Sequence, residues 1–191
     1  MPPAARQPAL LLVDVQEGFD DPAWGPRNNP DAERRIAEIL EAWRRAAAPV
    51  MHIHHASPAP DGLLRAGTAG HAPKPAARPA GDEPIYVKSV NSAFIGTTLE
   101  ADLRRRGLDA VVIVGLTTNH CVSTTARMAA NLGFATTVVS DATATFDRLG
   151  LDGRIRPAAE VHAAALSDLW REFAEIVDTE TLLARPWPSA P

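Results

Sequence analysis

An α/β fold is what this 191-residue sequence predicts: one doubly wound, parallel sheet with helices on both faces, three layers in all. Three observations carry the prediction. Short runs rich in Val and Ile alternate with helical patterns along most of the chain. The runs are apolar throughout rather than at every second position, as in strands buried on both faces. The composition, 46% hydrophobic and 22% charged, gives a chain of this length enough apolar surface for a sizeable core. Right-handed crossovers then leave little but side-by-side parallel strands, and a single domain spanning 1–191 is expected.

The first strand reads ALLLVDV (9–15). In DAERRIAEILEAWRRAA (31–47), Ile36, Ile39, Leu40 and Trp43 fall at helical spacing and Asp31 is placed to cap. VMHIHH (50–55) and IYVKS (85–89) form the second and third strands. Helical TTLEADLRRRG (97–107) leads into the fourth, AVVIVG (110–115), and VSTTARMAANLG (122–133) into the fifth, ATTVVS (135–140). AAEVHAAALSDLWREF (158–173) reads as a helix before a sixth strand, AEIVD (174–178). Gly107 and Gly133 sit where helix C-termini favour glycine. Only 56–84 lacks periodicity. Pro, Gly and Ala crowd it, and so long an unpatterned connection inside a compact domain reads as a functional flap over a ligand site.

Charge and composition narrow the partners. A net charge of -4 and dispersed arginines argue against nucleic acid. No apolar stretch approaches the roughly 20 residues of a membrane span, and MPPAARQPALLLV has too short an apolar run before Asp14 for a signal peptide. The single cysteine, Cys121, cannot form an internal disulfide. A cytoplasmic protein is expected, with no membrane or nucleic-acid partner. Of the 19 basic residues only Lys74 and Lys88 are lysines. Lys74 lies in the Pro-rich connection, whereas Lys88 ends a strand, so either an ammonium is wanted there specifically or composition has drifted.

In doubly wound sheets ligands gather at the carboxyl ends of the strands. Asp14, Lys88 and Cys121 all lie at or just past such ends. A thiol in the first turn of a helix, beside an ammonium, is favoured as thiolate and suits a nucleophile, although many lone cysteines are simply small buried hydrophobes. Asp14 interrupts a core-like run, where a carboxylate is costly unless paired or used; it could shuttle protons with a pKa raised by burial, or cap a turn. Lys88 would supply the compensating charge. The same three groups could instead form an inert buried ion network.

LLLVDVQEGF, YVKSVNSAF and VGLTTNHCVSTTARMAANLGF occur in that order, and together they resemble the signature blocks of the isochorismatase-like cysteine hydrolases. That family includes nicotinamidases, N-carbamoylsarcosine amidohydrolases, ureidoacrylate amidohydrolases and streptothricin hydrolases. The likeness spans about residues 9–178. It implies the sheet order 3-2-1-4-5-6 and a triad of Asp14 as acid/base, Lys88 as electrostatic partner and Cys121 as nucleophile. It also implies a cis peptide between Leu116 and Thr117, with the backbone N–H groups of Thr117 and Cys121 facing a substrate oxyanion. Gln16 and Phe19 correspond to pocket-lining positions, and Trp24 is a candidate aromatic wall, with ordinary packing as the alternative. The substrate so implied is a small amide, ureide or lactam, hydrolysed through a thioester without a cofactor by a homodimer or homotetramer. The implied order carries a difficulty, because it sets the strand of Lys88 two strands, roughly 10 Å, from that of Asp14.

The resemblance has limits. Metal-dependent nicotinamidases carry an Asp-x-His motif after the second strand, where this chain reads HIHHASP. His52 and His54 share a strand face, and His55 and His71 lie near in sequence, but the carboxylate ligand is missing and no metal is expected. Isochorismatases proper cleave an enol ether and generally lack the nucleophilic cysteine, so Cys121 argues against that activity. A redox-sensing thiol or a non-catalytic binding protein are the other readings, weakened by the lack of a resolving cysteine and by the intact triad residues. His120, adjacent to Cys121, is read as a surface or interface residue, and Asp141 as a cap of a turn or helix.

Overall fold

The computed structural model describes residues 8–186. Six parallel strands form its main sheet: β1 (Ala9–Val13), β2 (Val50–His55), β3 (Ile85–Lys88), β4 (Ala110–Leu116), β5 (Ala135–Ala144) and β6 (Glu175–Val177). Their spatial order is β3-β2-β1-β4-β5-β6, the doubly wound arrangement expected. The helices are α1 (Ala32–Arg45), α2 (Leu99–Arg105), α3 (Ser123–Asn131), α4 (Ala158–Leu169) and α5 (Thr179–Leu183). No helix among the described residues is long and apolar enough to cross a membrane. Residues 1–7 of the N-terminal stretch considered above lie outside the described residues.

β1 shows why its run is continuously apolar. Every one of its residues is buried. Leu11 and Val13 face Leu99, Leu103, Ala126 and Leu169 in one core, whereas Leu10 and Leu12 face Ile36, Ile39, Trp43 and Leu182 in the other. Full burial of a Leu side chain contributes about 1.5–3 kcal/mol, so a one-residue slip of this strand would disrupt both layers.

Several boundaries depart from the sequence expectation for identifiable reasons. β1 stops at Val13 because Asp14 adopts a φ of +52°. β5 extends to Ala144 by pairing with β4 again beyond an irregularity, Ile113 opposite Val138 and Gly115 opposite Thr143. Gly115, at φ +119°, makes this possible, since a Cβ there would lie 1.9 Å from the Val13 carbonyl oxygen. α4 ends at Leu169, four residues early, and the chain turns through Arg171 at φ +67°. Asp31 does not cap α1. Its backbone is not extended, as capping requires, and its carboxylate accepts from Arg34 at 3.0 Å instead. A two-stranded ribbon, Arg148–Leu149 against Ile155–Arg156, is too short to leave a periodic signal.

The connection over 56–84 contains only single helical turns, Ala69–His71 and Pro75–Ala77, yet it is tied down along its length. Lys74 donates its backbone N–H to the Val15 carbonyl, and its buried ammonium bonds the carboxylates of Glu33 and Asp20. Further along, Glu83 accepts from Arg44 Nε and Nη2, each at 2.7 Å, and from the Ala80 N–H, and meets the His52 ring, fastening the segment to α1 and β2. Burial works to raise the Glu33 and Glu83 carboxyls, but Arg27 and Lys74 around the first, and Arg44, Ala80 and His52 around the second, hold each at about 2.

Carboxyls held below their ordinary 4.5 stabilise the fold above that pH and lose the contribution as pH falls toward about 2. Lys74→Met is therefore expected to cost about 1–3 kcal/mol at neutral pH. The difference from wild type should shrink below pH 4 as Glu33 protonates. Urea unfolding at pH 7 and pH 3 measures both effects, and equal stability of the two proteins at pH 7 would refute the anchoring role.

Candidate active site

Asp14 leaves β1 through its positive φ, with its N–H donating to the Ile53 carbonyl at 2.9 Å. A non-glycine residue in this region is uncommon, and here the turn carries the carboxylate off the strand face into a fully buried position. Lys88 is the last residue of β3 and lies in register with His55 on β2. Since β2 separates β3 from β1, the Lys88 side chain must pass the end of β2 to reach Asp14. Its Nζ does so, donating to Asp14 Oδ2 at 2.7 Å, and the roughly 10 Å gap between the strands is bridged by one extended side chain.

Cys121 approaches from β4. A single π-helical turn, Thr118–Val122, connects this strand to α3, and the Leu116–Thr117 peptide before it is cis. The Thr117 carbonyl accepts from the N–H groups of His120 (3.1 Å) and Val122 (3.2 Å). Thr118 Oγ1 meets His162 Nδ1 at 2.9 Å, and Asn119 accepts from the Thr145 hydroxyl, so α4 and the end of β5 hold the turn from outside. Cys121 Sγ then lies 3.3 Å from Lys88 Nζ.

The ammonium has a third neighbour, His55 Nδ1 at 3.2 Å. Ligand-type atoms of Asp14, His55 and Cys121 all lie within 4.8 Å of one another. Three acceptors at such spacing would suit a metal ion, but the cation among them is Lys88 itself, which is 2% exposed. Among the described residues Asp14 Oδ1 is buried with no polar atom at ordinary hydrogen-bond geometry, and the Cys121 thiol is the neighbour that, after Lys88, favours the charged carboxylate. Burial, opposed by Lys88, raises the Asp14 carboxyl above its ordinary value, so this carboxylate is a stronger base than an exposed one.

For the thiol the structure corrects the sequence expectation. Burial first, and the Asp14 charge second, push Cys121 up to about 12, and the ammonium offsets only part of this. The buried sulfur is therefore disfavoured as a thiolate. Burial and then Lys88 lower the His55 imidazole, which leaves it neutral and able to accept.

Gln16 is fully buried and its amide is fully engaged. Oε1 accepts from the His55 N–H at 2.8 Å, while Nε2 donates to the carbonyls of His55 (3.1 Å) and His71 (2.9 Å). It thus locks the end of β2 and the long connection onto β1 rather than offering its amide to a ligand. Phe19 and Trp24 pack 5.0 Å apart and share Phe146, at 6.0 and 5.3 Å respectively. Trp24, His55, Ser57, Asp61 and Leu64 line a cavity of about 340 Å³, so His55 borders both the cavity and the ammonium.

The remaining candidates are occupied elsewhere. His52 meets Glu83 at 2.7 Å, and His54 packs edge-on against His71 with centroids 5.9 Å apart. Asp141 accepts from the N–H and hydroxyl of Thr179 at the start of α5, a capping role. His120 is half-buried in the π-helical turn. Sequence reasoning weighed His55 only as a metal ligand and passed over Phe146. Strand alternation was the available signal for His55, since it puts Met51, Ile53 and His55 on one face of β2.

The comparisons with known proteins agree with this architecture. The Isochorismatase domain family model matches residues 8–181. The YrdC isochorismatase family protein of Bacillus subtilis is 47% identical over 175 residues, covering 92% of this chain and 94% of that protein. Nicotinamidase 3 of Arabidopsis thaliana is 30% identical over 193 residues, covering 94% and 89%. A crystal structure of an isochorismatase-family protein from Chromobacterium violaceum superposes with a TM-score of 0.91 at 45% identity, covering 96% and 97%. A cysteine hydrolase from Pseudomonas syringae pv. phaseolicola superposes at 0.84 with 26% identity and the same coverage. A family model that matches nearly the whole chain, on a fold whose strand ends carry a buried acid, amine and thiol, shows that this protein belongs to the isochorismatase family of hydrolases.

Proposed function

We propose that the protein hydrolyses a C–N bond of a small amide, ureide or lactam through a Cys121 thioester. The observation that carries this reading is the position of Lys88 Nζ, within hydrogen-bond reach of both the Asp14 carboxylate and the Cys121 sulfur. The nicotinamidase relative and the cysteine hydrolase neighbour supply a family precedent for amide chemistry by a thiol.

Asp14 accepts the thiol proton as Sγ attacks the substrate carbonyl, so no free thiolate need accumulate in a site that disfavours it. The C–S bond forms and the carbonyl π-pair moves to oxygen. That oxyanion is received by the backbone N–H groups of Thr117 and Cys121. Asp14 then passes its proton to the departing nitrogen, the C–N bond breaks, and an acyl-thioester remains. Water adds next, losing a proton to Asp14, and collapse breaks the C–S bond and returns that proton to sulfur. Lys88 stays charged throughout, holding Asp14 and the sulfur in place. The cavity of about 340 Å³ walled by Trp24, at the small end of ligand sites, is bordered by His55 and not by Cys121 itself.

Cys121→Ala is expected to reduce hydrolysis by at least about 10³-fold while leaving the fold intact, since it removes the nucleophile and one small buried atom. Ammonia release and mass spectrometry of ring-opened products over a panel of amides, ureides and lactams, nicotinamide included, provide the assay. Activity retained in this variant would rule out the thioester route.

The pH dependence follows from Asp14, which must be ionised to accept the proton. Its raised value places the acidic limb of kcat/KM above the 3.8 of an ordinary aspartate, with activity lost as pH falls through that limb. Profiles recorded from pH 3 to 9 test this, and an acidic limb at 3.8 or lower would remove Asp14 as the base.

A further inference from the structure

We infer that His55 is a positioning residue for this reaction: its Nδ1 accepts the third N–H of Lys88 and so fixes the ammonium between Asp14 and Cys121. The inference rests on the thioester reading of the site for its effect on turnover, but not for its geometry.

An ammonium has three N–H groups and no lone pair. At Lys88 they go to Asp14 Oδ2 (2.7 Å), Cys121 Sγ (3.3 Å) and His55 Nδ1 (3.2 Å). With 2% of the residue exposed, water has little access to take the place of a missing acceptor. A nitrogen that accepts from an ammonium must present its lone pair, so the ring proton of His55 resides on Nε2. The charged and titratable groups around His55 are Lys88, Asp14, Cys121 and, more distantly, His71. A second positive charge on the imidazole would face Lys88 directly.

The imidazole is itself held firmly. Gln16 grips both the N–H and the carbonyl of His55, and strand register sets it opposite Lys88. Its ring also borders the cavity lined by Trp24 and Asp61. A ligand entering that cavity therefore bears on the ammonium through one side chain.

Removing the acceptor leaves a buried N–H of a charged group unpaired, which disfavours the ammonium and weakens its hold on the Asp14 carboxylate and on the Cys121 sulfur as it becomes anionic. Three variants of the full chain separate this role from simple packing. In His55→Asn the amide oxygen falls where Nδ1 was, whereas in His55→Gln it falls where Nε2 was and in His55→Leu no acceptor remains. Two readouts are used: the pH profile of kcat/KM on an amide cleaved by wild type, and the rate of Cys121 alkylation by iodoacetamide, followed by mass spectrometry without any substrate.

The Leu and Gln variants are expected to narrow the profile by about one pH unit in total, the acidic limb moving up and the basic limb down. Their alkylation at pH 8 should be roughly tenfold slower than wild type, because the thiolate is less favoured. His55→Asn should restore both. Unmoved limbs with alkylation within twofold of wild type would overturn the assignment, as would equal impairment of Asn and Gln. If wild type cleaves no amide yet alkylation follows the Asn-versus-Gln pattern, the hydrolase reading fails and the positioning role of His55 stands.

Discussion

The site depends on one buried cation. Moving an isolated ammonium out of water is so costly that it deprotonates unless acceptors surround it. Lys88 is surrounded, and each of its three acceptors comes from a different strand end: Asp14 from β1, His55 from β2 and Cys121 from the turn after β4. The ammonium therefore joins three segments that are distant in sequence and neighbours only in the folded sheet. Arginine could not take its place. A planar guanidinium presents its donors in a fixed fork suited to a carboxylate or phosphate, whereas these acceptors converge from three directions on a point. This accounts for a pattern in the composition. The chain carries 19 basic residues, only two are lysines, and both lysines are buried with several acceptors apiece.

The backbone is shaped to let that cation reach its partners. β1 yields the last two positions of its expected run, Asp14 and Val15, to a turn with Asp14 at φ +52°, because a carboxylate continuing along the strand would point into one of the two helical layers. Gly115 lets β4 press against β1 at the Val13 carbonyl, and the chain passes from there directly into the turn bearing Cys121. Gln16 then closes the assembly from the opposite side by holding His55 and His71. Each device works at the carboxyl edge of the sheet, where the strands end at different heights and leave a recess.

What could be read from the sequence follows from the range of each cause. Asp14 and Lys88 were conspicuous because a charge within an apolar run has a local cost, and Cys121 because it stands where a strand yields to a helix. Gly107 and Gly133 were legible as helix ends, and they have φ values of +65° and +86°. His55 was not legible as a partner of Lys88, since that contact requires the register of two strands separated by 29 residues of unpatterned chain. The latch formed by Gln16 spans 39 and 55 residues between side chain and backbone, and no periodicity encodes it. The extension of β5 to Ala144 was hidden because DATA is small and polar, and it is strand only through the bulged pairing that Gly115 permits.

The thiol is the place where local reasoning and three-dimensional context diverge most. A helix start and a nearby ammonium both favour a thiolate, and on those grounds alone Cys121 would be anionic at rest. The fold adds two opposing effects that are larger: removal from water, and a carboxylate within 4.8 Å. One ammonium offsets only part of the cost of two anions in a dry pocket, so a thiolate is disfavoured beside the Asp14 carboxylate. Such an arrangement has a chemical merit. Moving one proton between Asp14 and Cys121 leaves the net charge beside Lys88 unchanged. In the proposed thioester route, a substrate carbonyl that accepts electron density from sulfur carries part of that charge away, which favours proton transfer to Asp14 at the moment the bond forms. Reactivity is thereby tied to the presence of substrate rather than to a standing thiolate exposed to adventitious oxidation.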